Sequence, residues 1–262
     1  LHATVSVANI GCGHAVPTGE PMRSLVMVVE ADADACGTLV ATSGMTIPST
    51  GGEYATAVVG ETVNVQGAVL TFANGHGIEA GQVVRVVRPT GTYDDYNGIG
   101  YFASAELAPE DKGLQIKHPV GEAQVLSVTD DLVTLDAALT LELGDIVFVG
   151  DAWTGEEQDG DASKHLAGLA GYSFAKVLAD SSGRLEVPHY KAVDIVRDNR
   201  IAPGTNSLTE HVFALPEGCE TGQVRAKVMY RPRPLSQSAI RGWEARDYLI
   251  ASGSSKYGNG PQ

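Results

Sequence analysis

The sequence predicts an all-β fold, and two observations support this prediction: the pattern of the apolar residues and the frequency of turn formers. Apolar residues occur in short runs that either alternate with polar residues or are continuous, and both patterns are typical of strands. The 31 glycines and 12 prolines provide the unusual or fixed backbone angles that turns between such strands require. A sandwich or a barrel is the expected architecture.

The predicted strands are short runs bounded by Gly, Pro, Asn or Asp. In chain order they cover residues 4–10, 24–30, 63–72, 83–87, 122–128, 132–135, 145–149, 191–196, 210–215 and 223–230. Helical periodicity is weak, and its best stretch, 163–180, is interrupted by Gly168 and Gly171. We therefore expect either a short helix there or a loop that leads into a strand.

The stretch 57–150 differs from its flanks and predicts an inserted, small β-barrel-like module. It repeats one arrangement, in which Gly81-Gln82 and Gly144-Asp145 each precede a strongly apolar strand. Tight turns that lead into a core strand in this way are common in small barrels. The remaining residues are expected to form a discontinuous β-sandwich domain and then a flexible tail, or an end ordered only by a neighbour, with bounds at 1–56 plus 151–251 and at 252–262.

The chain is acidic, with a formal net charge of −14 and a pI of about 4.8. This charge argues against nucleic acid and anionic membrane surfaces as partners, because both would be repelled. It suits a basic partner, bound cations or simple solubility. No apolar run approaches the roughly 20 residues of a membrane-spanning helix, so we expect no membrane span. Because the chain opens with Leu1, we also expect that an upstream segment has been removed.

The three cysteines, Cys12, Cys36 and Cys219, are too few for a disulfide-rich scaffold. Two of them could pair in an oxidising compartment, and the alternative is that they are small buried hydrophobic residues. The chain contains no Cys-x-x-Cys pair. This absence excludes a covalent c-type haem site, a zinc ribbon and a thioredoxin-like dithiol.

No catalytic constellation is recognisable, and we expect the protein not to be an enzyme. The chain lacks a Gly-x-Ser-x-Gly elbow and a His-Glu-x-x-His pair. Ser173 and Lys176 match a Ser-x-x-Lys motif, but its partner motifs Ser-Asp-Asn and Lys-Thr-Gly are absent. A Ser, a His and an Asp that converge from distant positions would leave no such signature, so that alternative stays open.

Two acidic loops are candidate calcium sites. The first holds Asp151, Glu156, Asp159 and Asp161, and the second lies at 94–97. Calcium binds about six to eight oxygen ligands in flexible geometry, which acidic loops with glycine can supply. Neither loop has EF-hand spacing, and the alternative is a solvated acidic loop that keeps the protein soluble.

His14 has the most informative surroundings of the seven histidines, which occur singly along the chain. It lies between Gly13 and a Val16-Pro17-Thr18-Gly19 turn, in a segment stiff enough to fix the orientation of an imidazole ring. One outward imidazole is what a haem with an open axial position, held by another segment, would require. His14 is therefore a candidate haem ligand.

Three segments stand out as framework elements. The first, 7–23, is a strand followed by Asn-x-Gly-x-Gly-His-x-x-Pro-Thr-Gly and then Arg23. The second is 174–180 continuing to 198–204, which reads Asp-x-Arg-Ile-x-Pro-Gly. The third, 224–232, is a strand that ends in Tyr-Arg-Pro. In this order, they resemble the haem-free C-terminal β domain of extracellular and periplasmic multihaem c-type cytochromes. The resemblance covers about the first 55 and the last 100 residues and frames the predicted insertion.

The resemblance implies an immunoglobulin-like β-sandwich, an extracellular or periplasmic location in electron transfer, and a multihaem cytochrome chain or domain as partner. It also implies that His14 lies against a haem, as a distal ligand. Pro17 and Gly19 would fix a tight turn, and the guanidinium of Arg200 would connect the ends of neighbouring strands through paired hydrogen bonds. Family members carry Cys-x-x-Cys-His repeats upstream, which this chain lacks, so any haem must be held by another polypeptide.

We therefore expect a non-catalytic scaffold or partner-binding subunit, with haem by contact with its partner. A function of another class stays open. The Gly-rich, barrel-like stretch 57–150 is of a kind that recurs in surface assemblies. It would suit a cell-surface or virion structural protein that forms a homopolymer, or a carbohydrate-binding β module.

Overall fold

The protein is an all-β molecule with three sheets, as the sequence predicts. A computed structural model describes residues 1–48, 57–73, 76–92, 115–153, 166–183, 186–234, 237–238 and 241–258. The strands are β1 His2–Ala8, β2 Ser24–Ala33, β3 Gly37–Thr38, β4 Ala41–Gly44, β5 Ala57–Val58, β6 Val63–Gln66, β7 Val69–Phe72, β8 Val83–Thr92, β9 Gln115–Thr129, β10 Leu132–Leu135, β11 Ile146–Gly150, β12 Gly171–Ala179, β13 Asp194–Asp198, β14 Asn206–Phe213, β15 Gly222–Arg231 and β16 Tyr248–Tyr257. No helix in the described part of the chain is long and apolar enough to cross a membrane.

Two of the sheets form a β-sandwich. One has three strands in the order β1-β14-β4, and the other has six, in the order β13-β12-β2-β15-β16 with β3 paired to β2. Apolar side chains of both sheets share one core, in which Met27 and Phe174 of the larger sheet lie in one cluster with Phe213 of the smaller. Strands from the two ends of the chain therefore bury their apolar faces against each other.

The central position of β2 explains why its sequence is a continuous apolar run. Leu25 and Met27 belong to the sandwich core, whereas Val26 and Val28 belong to a second apolar cluster that includes Ile47. A strand that is buried on both faces does not alternate between polar and apolar residues.

The third sheet curls into a nearly closed barrel. Its seven strands follow the order β5-β11-β8-β9-β10-β7-β6, and all of them lie between Ala57 and Gly150. A parallel bridge between Val59 and Val63 brings the two ends of this order together. The predicted Gly turns of this stretch have the backbone that favours glycine, because Gly81 before β8 and Gly144 before β11 both have φ of +92°.

His118 and Trp153 connect the barrel to the sandwich. His118 in β9 accepts a hydrogen bond at Nδ1 from the backbone N–H of Gly44 in β4 at 2.7 Å, and the Ser43 hydroxyl lies 3.0 Å from the same nitrogen. Trp153, just after β11, donates its Nε1–H to the Glu30 carboxylate in β2 at 3.1 Å. Burial lowers the pKa of His118, which keeps Nδ1 able to accept.

Glycines also explain two differences between predicted and observed strands. The predicted strand 63–72 is a hairpin of β6 and β7, because Gly67 turns the chain with φ of +65°. The described part of 163–180 is a loop that leads into β12, so the loop alternative is confirmed and the helix is not. A Cβ on Gly171 would lie 2.0 Å from the carbonyl oxygen of Met27, so the close approach of β12 to β2 requires glycine there.

The prediction of a flexible tail is wrong for residues 252–257. These residues belong to β16, which pairs with β15 from Tyr248 opposite Tyr230 to Tyr257 opposite Gly222. Their Gly- and Ser-rich composition carries no apolar pattern, and the strand is held by backbone hydrogen bonds instead. A buried salt bridge between Arg231 Nη2 and Asp247 Oδ2, at 2.8 Å, links β15 to the residue just before β16.

Of the two alternatives for the cysteines, the formation of a disulfide is confirmed. Cys36 and Cys219 form a disulfide across 183 residues of sequence, and Cys12 is free and exposed. The disulfide joins the turn between β2 and β3 to the loop before β15. It therefore links the first part of the discontinuous sandwich to the last.

Candidate functional site

The opening loop, which runs from β1 to β2, is organised around the buried side chain of Asn9. The Asn9 amide nitrogen donates hydrogen bonds to the carbonyl oxygens of His14 at 2.8 Å and Ile201 at 3.0 Å. Its amide oxygen accepts a hydrogen bond from the backbone N–H of Cys12 at 3.2 Å. Asn suits this position because its amide can satisfy backbone donors and acceptors at once. A single side chain thus fixes the start of the loop against His14.

Backbone hydrogen bonds connect the same loop to the turn before β14. The Asn9 N–H donates to the Thr205 carbonyl at 2.9 Å, and the Gly204 N–H donates to the Asn9 carbonyl at 2.8 Å. Val16 and Ile201 exchange two hydrogen bonds of 2.9 Å each. The loop is therefore held on both sides of His14.

The second half of the loop contains the predicted tight turn. Pro17 is buried, and the peptide bond that precedes it is cis. Gly19 has φ of +81°, a conformation that L-residues rarely adopt. The Arg23 guanidinium donates from Nη1 to the Thr18 carbonyl at 3.1 Å. This contact closes the turn just before β2 begins.

Asn199 repeats the role of Asn9 on the neighbouring segment. It is fully buried, accepts a hydrogen bond from the Ala175 N–H at 2.7 Å, and donates to the Ser173 carbonyl at 2.8 Å. The Arg200 guanidinium donates two hydrogen bonds to the Asp198 carboxylate, from Nε to Oδ1 at 2.7 Å and from Nη2 to Oδ2 at 2.6 Å. Asn199 thus anchors the 198–204 turn to β12, and the ion pair of Arg200 with Asp198 stabilises the turn at the end of β13.

The imidazole of His14 is exposed at the apex of this framework. Its Nδ1 lies 3.3 Å from the carbonyl oxygen of Ala15. A carbonyl can only accept, so the proton of this hydrogen bond is on Nδ1, and Nε2 of the neutral ring carries the lone pair. Among the described residues Nε2 has no hydrogen-bond partner. With this tautomer, the exposed ring keeps Nε2 available as an acceptor.

Two further residues of the loop, both close to His14 in the sequence, are exposed to solvent. Ile10 is 91% exposed, and Cys12 is an exposed free thiol. A large apolar side chain on a fixed, exposed loop offers a contact surface to a partner. The prediction singled out His14 alone. The sequence predicts Ile10 to be the last residue of strand 4–10, whereas β1 ends at Ala8 and leaves Ile10 exposed.

The framework role of Asn9 and Asn199 was not predicted from the sequence either. Both residues stand at the end of a strand, where a short amide side chain can take over the hydrogen bonds that the strand no longer makes. The sequence does not show this, because Asn9 lies inside the predicted strand 4–10 and Asn199 lies three residues after the predicted strand 191–196.

Of the four candidate calcium ligands, only Asp151 belongs to the part of the chain that the structure describes. Asp151 is exposed, and its backbone carbonyl accepts a hydrogen bond from Arg85 Nη2 at 3.4 Å. Glu156, Asp159 and Asp161 lie outside the described residues, as does the acidic loop at 94–97. Within the described ranges no group of three or more His, Cys, Asp or Glu side chains could hold a metal ion.

Fold and site together define an all-β sandwich protein with an inserted barrel and one rigid loop that presents an imidazole. No family model, no curated protein and no solved structure matches the chain.

Proposed function

We propose that this chain is a non-catalytic β-sandwich subunit or domain that docks on a multihaem c-type cytochrome outside the cytoplasm and offers His14 as a distal ligand to one of its haems. The observation that carries the proposal is the loop held by Asn9, which leaves Nε2 of His14 exposed with its lone pair. Two of the three segments that resemble the cytochrome-associated domain, 9–19 and 198–204, meet at this loop through Asn9 and through the pair Val16 and Ile201.

The residues present fit a haem held by another polypeptide. An axial histidine binds iron through a neutral nitrogen, and its other ring N–H is commonly donated to a carbonyl or carboxylate. His14 has this arrangement, with Ala15 as the acceptor of the Nδ1 proton. When bound, the haem supplies electron transfer; the chain supplies the ligand nitrogen, and Ile10 supplies apolar contact that excludes water from the docked surface.

The disulfide supports a location outside the cytoplasm. Disulfides persist in oxidising compartments such as the periplasm and the cell exterior, and they are rare in the reducing cytosol. The Cys36–Cys219 bond joins an exposed turn to a cysteine that is buried in the sandwich core, across 183 residues of sequence. The disulfide therefore supports the proposed extracellular or periplasmic location.

The test is purification of the tagged chain from its source, followed by visible spectroscopy of the cytochrome that accompanies it. We expect His14→Ala to convert one haem from six-coordinate, low-spin to five-coordinate, high-spin absorption while the complex persists. His189→Ala is the matched control, because His189 is also exposed but its Nδ1 pairs with Glu20 at 3.1 Å. The spectrum of that variant should match the wild type. If no haem protein accompanies the chain, the docking proposal fails; if His14→Ala leaves the spectrum unchanged, the ligand role fails.

A further inference from the structure

A small cavity lies on the outer face of the larger sheet, on the side away from the sandwich core. Ser173 of β12 lies opposite Val26 of β2, which belongs to the apolar cluster on that outer face. Arg197 of β13 lies opposite Val177, four residues along β12 from Ser173, so its side chain points to the same face. Both residues line the cavity, together with residues 21–24 at the start of β2.

Two buried polar groups at this cavity have no hydrogen-bond partner among the described residues. Ser173 is 5% exposed, and its hydroxyl makes no hydrogen bond to that part of the chain. The Nε of Arg197 is buried and is likewise without an acceptor. An arginine nitrogen can only donate, and a hydroxyl can donate as well as accept. Because buried polar groups in native proteins are nearly always paired, these two donors indicate a bound acceptor.

Most of the charged side chains around the cavity are cationic. Five charged residues line it: Arg23, Lys176, Arg197, Arg231 and Glu186. Two of the cations lie beside carboxylates that do not line the cavity. Arg231 Nη2 pairs with Asp247 Oδ2 at 2.8 Å, and Lys176 Nζ lies 4.0 Å from Asp198 Oδ2. These two residues therefore contribute little net charge to the cavity.

Arg23 and Arg197 have no carboxylate partner within the described ranges. Arg23 donates from Nη1 to the Thr18 carbonyl, and the Arg197 side chain makes neither a hydrogen bond nor an ion pair there. Glu186 can offset one of these two cations, so the other is uncompensated. Excess positive charge is unusual in a chain whose formal net charge is −14, and it favours a bound anion.

The size of the cavity limits what can bind. Its volume is about 30 Å³. One water molecule needs roughly 10–15 Å³, so the cavity has room for about two waters or for one small anion. A chloride ion or a carboxylate group is of this size, whereas phosphate and sulfate are larger. Water could accept the same hydrogen bonds, but an anion accepts stronger, charge-assisted ones and also balances the guanidinium.

From these observations we propose that the cavity binds one small monovalent anion, a chloride ion or a carboxylate group, which accepts hydrogen bonds from Arg197 Nε and the Ser173 hydroxyl. The bound anion joins β12 to β13, the edge strand of the larger sheet. This proposal does not depend on His14 or on haem.

The test is chlorine NMR of the full chain, in which the line of free chloride broadens when the ion exchanges with a protein site. We expect saturable broadening with the wild type and at least about tenfold weaker binding for Arg197→Gln, which loses both the charge and the donor. Arg246→Gln is the matched control, because it removes the same charge from an exposed arginine that pairs with Glu244 and does not line the cavity. It should bind chloride as the wild type does. Broadening that does not saturate, or that is equal for Arg197→Gln and the wild type, would overturn the proposal by showing an adventitious ion only.

Ser173→Ala tests the second donor. We expect it to weaken chloride binding about fivefold, as the loss of one hydrogen bond would. Thermal unfolding shows that this variant and Arg197→Gln are folded. An unchanged affinity for chloride would contradict the role assigned to the Ser173 hydroxyl.

Competing anions at constant ionic strength identify the ligand. Displacement of chloride by formate assigns the site to carboxylates as well, so that a carboxylate of a partner molecule can enter it. Formate without effect leaves the free halide as the ligand. Sulfate should not compete, because it is too large for the cavity. Displacement by sulfate as effective as that by formate would overturn the assignment to this cavity.

Discussion

Asn9 shows how one buried side chain determines the shape of the candidate site. Asn9→Ala would leave the carbonyl groups of His14 and Ile201 without the amide donor that both now share. We expect a loss of about 2–4 kcal/mol in the free energy of unfolding, since buried polar groups lose their partners. Urea unfolding measures it. Asn206→Ala, which removes only an exposed hydrogen bond to Ser6, should cost less than about 1 kcal/mol, and a similar loss for both variants would contradict the role assigned to Asn9.

His211 makes the stability of the sandwich depend on pH. It is fully buried, with Nε2 2.9 Å from the Thr209 hydroxyl, and burial lowers its pKa from 6.5 to about 4. The unfolded chain therefore binds a proton at a higher pH than the folded chain does. Stability is complete above pH 6.5, falls as the pH drops towards about 4, and loses about 3 kcal/mol over that interval through this residue.

Urea unfolding of the wild type and of His211→Gln at pH 7.5, 5.5 and 4 checks this expectation. The difference in unfolding free energy between the two proteins should change with pH by about 3 kcal/mol, whatever its value at pH 7.5. Parallel pH profiles would show that His211 does not provide the dependence.

At the scale of secondary-structure elements, the disulfide is a covalent constraint between the two parts of the sandwich. Replacing Cys36 and Cys219 together by Ser should lower the free energy of unfolding by about 3–5 kcal/mol, because the bond closes a long loop in the unfolded chain. Cys12→Ser is the matched control, since Cys12 is free and exposed. Denaturant unfolding without reductant measures both. A control variant as unstable as the double variant would contradict this account.

The sequence predicts those elements whose stability comes from apolar side chains and misses those held by the backbone. β2 and β11 are runs of Val, Leu, Ile, Met or Phe, and the sequence alone reveals them. β16 is paired over its whole length but is exposed at nearly every position, so its side chains carry no strand pattern. Likewise, the sequence singles out His14, but the hydrogen bonds that fix its loop come from Asn9 and from a turn nearly 200 residues away, which no local pattern reports.

At the scale of the whole molecule, His118 couples the position of the barrel to pH. Its Nδ1 accepts from the Gly44 N–H only while it is unprotonated, and its pKa is lowered by burial. We expect the contact between β4 and β9 to loosen as the pH falls below the ordinary histidine range. Small-angle scattering should show a larger radius of gyration at pH 4.5 than at pH 7.5, before global unfolding seen by circular dichroism. His118→Ala should show the larger radius already at pH 7.5. A radius that is unchanged with pH would refute this coupling.

The pairing of β1 with β14 has a consequence for how the chain acquires its structure. His2 lies opposite Val212, and Ser24 of β2 lies opposite Arg231 of β15, so each of these pairs joins residues that are roughly 200 positions apart in the chain. The barrel strands, by contrast, find all their partners within 57–150. Contacts between distant parts of a chain form slowly, because the intervening loop must be ordered first. The apolar run of β2 is therefore made long before β12 and β15, the two long strands that cover its edges, and it is prone to aggregation until they form.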